Sequence, residues 1–236
     1  MLENLQRLSD RQSEIRAASL KAVASDAELA DHAEIVEFWM DTLLSYSTKY
    51  KAQDADVLTI QLLGIRLFNS SACAMTLLTG GFYQNALSHV RDILETGFLI
   101  DDFTLNKSHI SEWRESSDRE RYKKFRPKAV RTRLDARDGF AEKRRGQAYA
   151  DLSSASIHAT WHGFNLLCSG DHTAKAGPFF DNTLLKAILE ELTQRLAGGI
   201  MNFCSLFQVQ NFPVEAHQMA LARTNAWRQK YMTSNT

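Results

Sequence analysis

Arg91 and Glu95 stand four residues apart in a mostly apolar helical stretch, residues 82–103. At that spacing a guanidinium and a carboxylate meet across one helical turn. Placed at 100° per residue, Gln84, Ser88, Arg91, Glu95 and Asp102 form a narrow polar line bordered by Leu87, Phe98 and Leu99. Phe82, Ala86, Val90, Ile93, Leu94 and Gly97 share the broad apolar face. Charges enclosed in this way are partly desolvated and need partners, either each other or a facing helix. Such a line can recognise a polar ligand or lock two helices together.

A second candidate set lies at residues 146–169, where the pattern predicts one helix. Tyr149, Leu152, Ser153, Ser156, Thr160, Gly163 and Leu167 fall on one side of it, and Asp151, Ser154, His158, Trp161, His162 and Asn165 on the other. His158 and His162, one turn apart, have the spacing at which two imidazoles share a metal, with Asp151 as a third ligand or supporting carboxylate. Ala159 occupies the position where a zincin helix carries its glutamate, and no Glu-x-x-His occurs for a ferritin-like di-iron site. The expectation is therefore no metal and no cofactor, with chance placement of two histidines on a polar face.

The third set is electrostatic. The chain has no net charge, yet residues 112–145 hold thirteen lysines and arginines against seven acids, a net +6 that the remainder balances. Lys128, Arg131 and Arg133, on a short basic helix opened by Pro127, are the candidate contacts for RNA or another polyanion, and Trp113, Tyr122, Phe125 and Phe140 are available for stacking. Seven interspersed acids weaken that field, so a solvated crossover between helical hairpins is the favoured reading.

The elements that must position these residues are helical throughout. Leu2, Leu5, Leu8, Ile15 and Leu20 mark a first amphipathic helix ending near Ala24, and Ser25-Asp26-Ala27-Glu28 fits a capping box with Ser25 as the cap of a second helix running to about Tyr50. Asp54 opens a third that ends at Gly80-Gly81, a pair suited to a left-handed cap. Asp181 or Asn182 caps a long helix that should run through Gly198-Gly199 by close helix contact and stop near Asn211-Phe212-Pro213; a last helix spans about 214–232. No six-residue stretch alternates as a strand does. The fold class is all-α: a bundle of about seven helices built from antiparallel hairpins. Residues 1–50 form an N-terminal helical pair and 51–236 the main bundle with a basic helical crossover at 112–145, or one domain spans the whole chain. Cys73, Cys168 and Cys204 are expected to be buried free thiols, because they are odd in number and each lies in an apolar stretch. The N-terminus lacks the pattern of a cleaved leader and no apolar run reaches membrane-span length, so the expectation is a soluble cytoplasmic protein without a membrane partner.

Arg91-x-x-x-Glu95 after Leu-Leu-x-Gly-x-Phe-Tyr-x-x-Ala, followed by Tyr149-x-x-Leu152-Ser153 and His158, resembles a bacterial all-helical family distantly similar to HEPN domains. The resemblance covers residues 65–165. It implies a HEPN-like bundle in which the Arg-Glu helix lies against the Tyr-Ser-His helix, so that Arg91, Glu95, Tyr149, Ser153 and His158 converge on one cleft. HEPN ribonucleases place a histidine four to six residues after an arginine, and no histidine here has that neighbour. Nuclease activity is not carried over. On an ideal helix Tyr149 and His158 also point in opposite directions. Three function classes follow: a helical interaction or small-ligand-binding protein first, an RNA-acting or defence-related protein second, and a metal-dependent enzyme built on His158 and His162 third. A homodimer is the expected partner state.

Overall fold

A computed structural model describes residues 3–140, 144–170, 173–207 and 214–232. The described residues form eleven α-helices and one short 3-10 turn, with an isolated bridge between Cys168 and Ala174 as the only strand-like pairing among them. The chain is all-α, with more helices than the periodicity predicts because residues 106–167 break into short pieces.

Four long helices make the frame: α1 (Glu3–Ser25), α2 (Ala27–Lys49), α3 (Ala55–Thr79) and α4 (Tyr83–Leu105). The cap of α2 is Asp26, whose carboxylate accepts from the Glu28 and Leu29 amides at 2.9 and 3.2 Å, and not Ser25, which ends α1 by donating to the Lys21 carbonyl. An ionised acceptor at a helix N-terminus is favoured by the exposed amides and the helix dipole together. Gly81 closes α3 at φ +81°, with the Gly81 amide on the Leu78 carbonyl and the Phe82 amide on that of Leu77, a Schellman arrangement that turns the chain directly into α4.

Helix α4 is central and packs against α3, α10 (Asn182–Leu206) and the shorter α5 (Ser108–Glu115), α7 (Pro127–Asp138) and α8 (Arg144–Ser156); α6 (Asp118–Phe125) lies against α7. Gly97 of α4 meets Gly199 of α10 so closely that a Cβ on Gly97 would sit 3.5 Å from the Gly199 Cα. This is why α10 continues through Gly198-Gly199. Helix α10 ends at Leu206, short of the expected stop at residues 211–213, which lie outside the described residues. The core is continuous from Leu29, Trp39 and Leu43 of α2 to Leu192, Ile200 and Phe203 of α10, so packing shows no boundary at residue 50. Among the described residues α3 is the one helix long and apolar enough to cross a membrane, and half of that stretch is buried inside the bundle.

The last helix, α11 (Val214–Tyr231), is held to α2 by polar and aromatic contacts. The Trp39 indole donates to Thr224 (2.8 Å), the Trp227 indole donates to His32 Nδ1 (3.1 Å), and Asp31 accepts from Lys230 and from Tyr231. All three cysteines are free, but only Cys204 is buried; burial pushes its thiol up to about 12. Cys73 is exposed on α3, contrary to expectation, because the apolar composition of α3 exceeds the width of the face it can bury.

Candidate binding groove and polar seam

The polar line of α4 seats α8. Gln84 donates to the Gly163 carbonyl (3.3 Å), Ser88 reaches the Ser156 carbonyl (3.4 Å), and Arg91 Nε donates to Ser153 Oγ (2.9 Å). Arg91 Nη2 donates to Glu95 at 3.1 Å and to the Tyr149 hydroxyl. Arg91, Glu95, Tyr149 and Ser153 thus meet, four residues apart on each of two facing helices. Arg131 of α7 completes the cluster with its guanidinium 3.9 Å from the Tyr149 ring centroid, which Arg91 approaches at 4.6 Å. Its Nη1 is buried without a hydrogen-bond partner, and burial pulls its pKa below the usual arginine value. An arginine stacked on an aromatic face gains from the ring quadrupole what it lacks in hydrogen bonds.

His158 does not join them. Helix α8 ends at Ser156, the Ile157 and His158 amides both return to the Ser153 carbonyl, and Thr160 caps a new short helix, α9 (Trp161–Phe164), by accepting from the Gly163 amide at 3.0 Å. The long helix expected over 146–169 is broken there. A Cβ on Gly163 would lie 2.8 Å from the Ala155 carbonyl oxygen, so the chain folds back on α8 at this glycine. His158 and His162 are consequently exposed and not one helical turn apart, which removes the geometry of the metal proposal; Asp151 accepts from Gln147 instead (2.7 Å).

A different trio, Glu28, His32 and Glu190, brings its oxygen and nitrogen atoms within 4.8 Å of one another. The Trp227 N–H can only donate, so His32 Nδ1 is the acceptor and the neutral ring carries its proton on Nε2. Lys186 supplies the positive charge between the carboxylates, 2.7 Å from Glu28 and 3.8 Å from Glu190. The trio is a satisfied charge network.

Six of the thirteen cations of the basic segment are held by carboxylates, of which Asp56, Asp101 and Asp102 lie outside it. Arg114 pairs with Asp56 and Glu115, Arg121 with Asp118, Lys124 with Glu112, Arg137 with Asp101 and Asp138, and Arg145 with Asp135 and Asp138. Arg133 is not a surface cation: its Nε and Nη2 hold both oxygens of the fully buried Asp102 (2.7 and 2.9 Å), and His109 Nδ1 lies 2.9 Å from the same carboxylate. Arg131 is turned into the cluster at Tyr149. Of the three candidate polyanion contacts only Lys128 is exposed. Lys143 lies outside the described residues.

Beside the seam, α3, α4 and α5 border an open groove of about 830 Å³. Its apolar lining is Ala55, Leu58, Leu62, Leu63, Ile65 and Trp113, with Thr59 and Arg114 beside Leu58; its more polar end is Arg66, Asn69, Ser70, Ser88, His89, Arg91 and Asp92. Asp92 accepts from Ser70 (2.6 Å) and from Arg66 Nε (3.2 Å) and Nη2, which fixes the guanidinium at the groove edge. That pairing raises the pKa of Arg66. Sequence reasoning passed over Arg66 and Asp92. A signal existed, since Arg66 is the single charged residue between Asp56 and Arg91. Its partner lies a whole hairpin away, and no local period reveals such a pair. The chain matches no protein-family model, no curated protein and no solved structure.

Proposed function

We propose that this is a binding protein whose groove between α3, α4 and α5 takes a small amphipathic molecule. The observation that carries the reading is the division of the groove wall. Leu58 and Leu62 are 46% and 56% exposed along one part, and an arginine held in place by Asp92 stands with Asn69 and His89 at the other. Pockets that recognise small molecules combine an apolar surface with a few convergent polar groups in this way. Ser70 donates to a carboxylate already held by Arg66, which makes the hydroxyl a fixed donor. The Arg91 seam then supports the groove from behind, since Arg91 lines it while anchored to α8.

The test uses 1-anilinonaphthalene-8-sulfonate, an apolar ring system carrying one anionic group. Saturable fluorescence enhancement by the full chain, lost in Leu62→Glu and weakened in Arg66→Gln with unchanged far-ultraviolet circular dichroism, supports the reading. Equal binding by all three proteins overturns it.

A second reading, RNA or another polyanion bound in the manner of a HEPN-like protein, draws support from one patch. Tyr122 is 68% exposed beside Arg126, whose guanidinium lies 5.8 Å from the ring, and Arg119, Lys123 and Lys128 are exposed nearby in sequence. Binding of single-stranded RNA that weakens steeply with salt and in Tyr122→Ala favours it; absence of binding at low salt excludes it.

A further inference from the structure

On a different side of α4 from the groove, α4, α7, α8, α10 and α11 line a cavity of about 310 Å³. Four arginines converge on it from four different helices: Arg137 of α7, Arg145 of α8, Arg195 of α10 and Arg228 of α11. Asp101 is the one acid on its wall. It accepts from Arg137 Nη1 and Nη2 at 2.7 and 3.1 Å and lies 3.9 Å from Arg145, while the remaining counter-charges stand outside. Asp138 accepts from Arg137 and Arg145, Asp135 accepts from Arg145 at 3.0 Å, and Glu191 holds Arg195 at 2.7 Å. These carboxylates orient the guanidiniums without occupying the cavity. Gln194 and Asn202 add neutral hydrogen-bonding groups.

The floor carries a second observation. Packing accounts for Gly97 and Gly199, which touch each other, but not for Gly198: a Cβ there would meet nothing within 4 Å. Glycine is among the poorest residues for a helix interior, so this position carries a conformational cost that no neighbour explains. Gly198 is exposed and belongs to the cavity wall, where a side chain would meet open space.

We propose that this cavity binds a small soluble molecule bearing a phosphate or pyrophosphate group. Planar guanidiniums match phosphate oxygens two at a time, and Arg145 and Arg195, fixed by outlying carboxylates, are already oriented before the anion arrives. The volume is at the lower end of the small-molecule range, which suits pyrophosphate or a compact organic phosphate. A glycine at position 198 adds no side chain to the wall beside it. The site is independent of the groove reading, because none of its four arginines lines that groove.

The experiment is calorimetric titration of the full chain with inorganic pyrophosphate, inorganic phosphate and sulfate at constant ionic strength. The expected result is saturable one-to-one binding of pyrophosphate, tighter than sulfate by about tenfold or more, equivalent to about 1.4 kcal/mol. Arg195→Gln, a change at a helix-surface ion pair, should weaken it by a similar factor. Gly198→Leu is the decisive variant: it keeps every arginine and improves helix propensity, so the protein without ligand should melt no lower than wild type, yet pyrophosphate binding should be lost. Binding by Gly198→Leu equal to wild type overturns the site. So does wild-type protein that shows no saturable heat up to about 5 mM pyrophosphate, or that binds sulfate as tightly, which would indicate an adventitious ion only.

Discussion

Helix α4 carries two charged clusters, eleven residues apart, that bury charge in different ways. At Asp102 the carboxylate is wholly inaccessible, gripped at both oxygens by Arg133 and approached by His109, while Arg133 spends its remaining nitrogen on the Lys124 carbonyl. This cluster ties α5 and α7 to α4. At Arg91 and Glu95 the side chains keep 20% and 24% of their exposure, the partners are hydroxyls as well as a carboxylate, and Arg91 also lines the groove. A closed cluster with full pairing serves the fold. One that stays partly solvated beside a groove has capacity left for a ligand.

The comparison predicts a ranking of losses. Arg133→Met strands the Asp102 carboxylate in the interior and should cost about 3–5 kcal/mol in urea melts, with part recovered by adding Asp102→Asn. Arg91→Met leaves Glu95 within reach of water, so the expected loss is about 1–2 kcal/mol, and the Arg91→Met, Glu95→Gln double variant should be less destabilised than the sum of the singles. If Arg91→Met proves the costlier of the two, the seam is the structural cluster and the distinction collapses.

A third way of burying a polar group sharpens the contrast. His32 is enclosed beneath α11, and burial, with help from Lys186 and Lys230, holds its pKa below the ordinary histidine value against the opposing pull of Glu28 and Asp31. The unfolded chain takes up a proton near pH ~6.5, and the folded protein only at lower pH. The stability from the neutral ring is therefore complete above the unfolded value and drains away as pH falls through the folded one. Urea midpoints followed by tryptophan emission from about pH 8 to about pH 5 should decline over this window in wild type, and the decline should be shallower in His32→Gln. An identical profile in the variant would assign the decline to other groups. The smallest effect on stability belongs to Leu62→Glu, an exposed position on the groove wall, where the melt should shift by less than about 0.5 kcal/mol even as ligand binding is lost. A larger loss would show that Leu62 supports the core and that the groove is a packing feature.

The site was legible in part. Arg91 and Glu95 were visible because two charges on an apolar helix stand out against the period, and Tyr149 and Ser153 because they share one face of the opposing segment. His158 was misplaced: the period continues past Ser156, but the backbone does not. The Thr160 cap and the fold-back at Gly163 outweigh a weak helical pattern, and no count of apolar positions registers them.

Sequence alone determined the helical class, the long helices and several of their ends, because hydrophobic period, capping residues and the Gly80-Gly81 pair act over a few residues. It also identified which side chains would need partners. Only tertiary structure decided who those partners are. Arg133 looked like a surface cation in a basic run until Asp102, thirty-one residues earlier, was placed beside it. Arg66 and Asp92 became a pair only when the α3–α4 hairpin closed, and the Arg137, Arg145, Arg195 and Arg228 cavity exists only where α4, α7, α8, α10 and α11 come together. Charge pairing depends on distance in space, and the one-dimensional pattern carries distance only within a few turns of a helix.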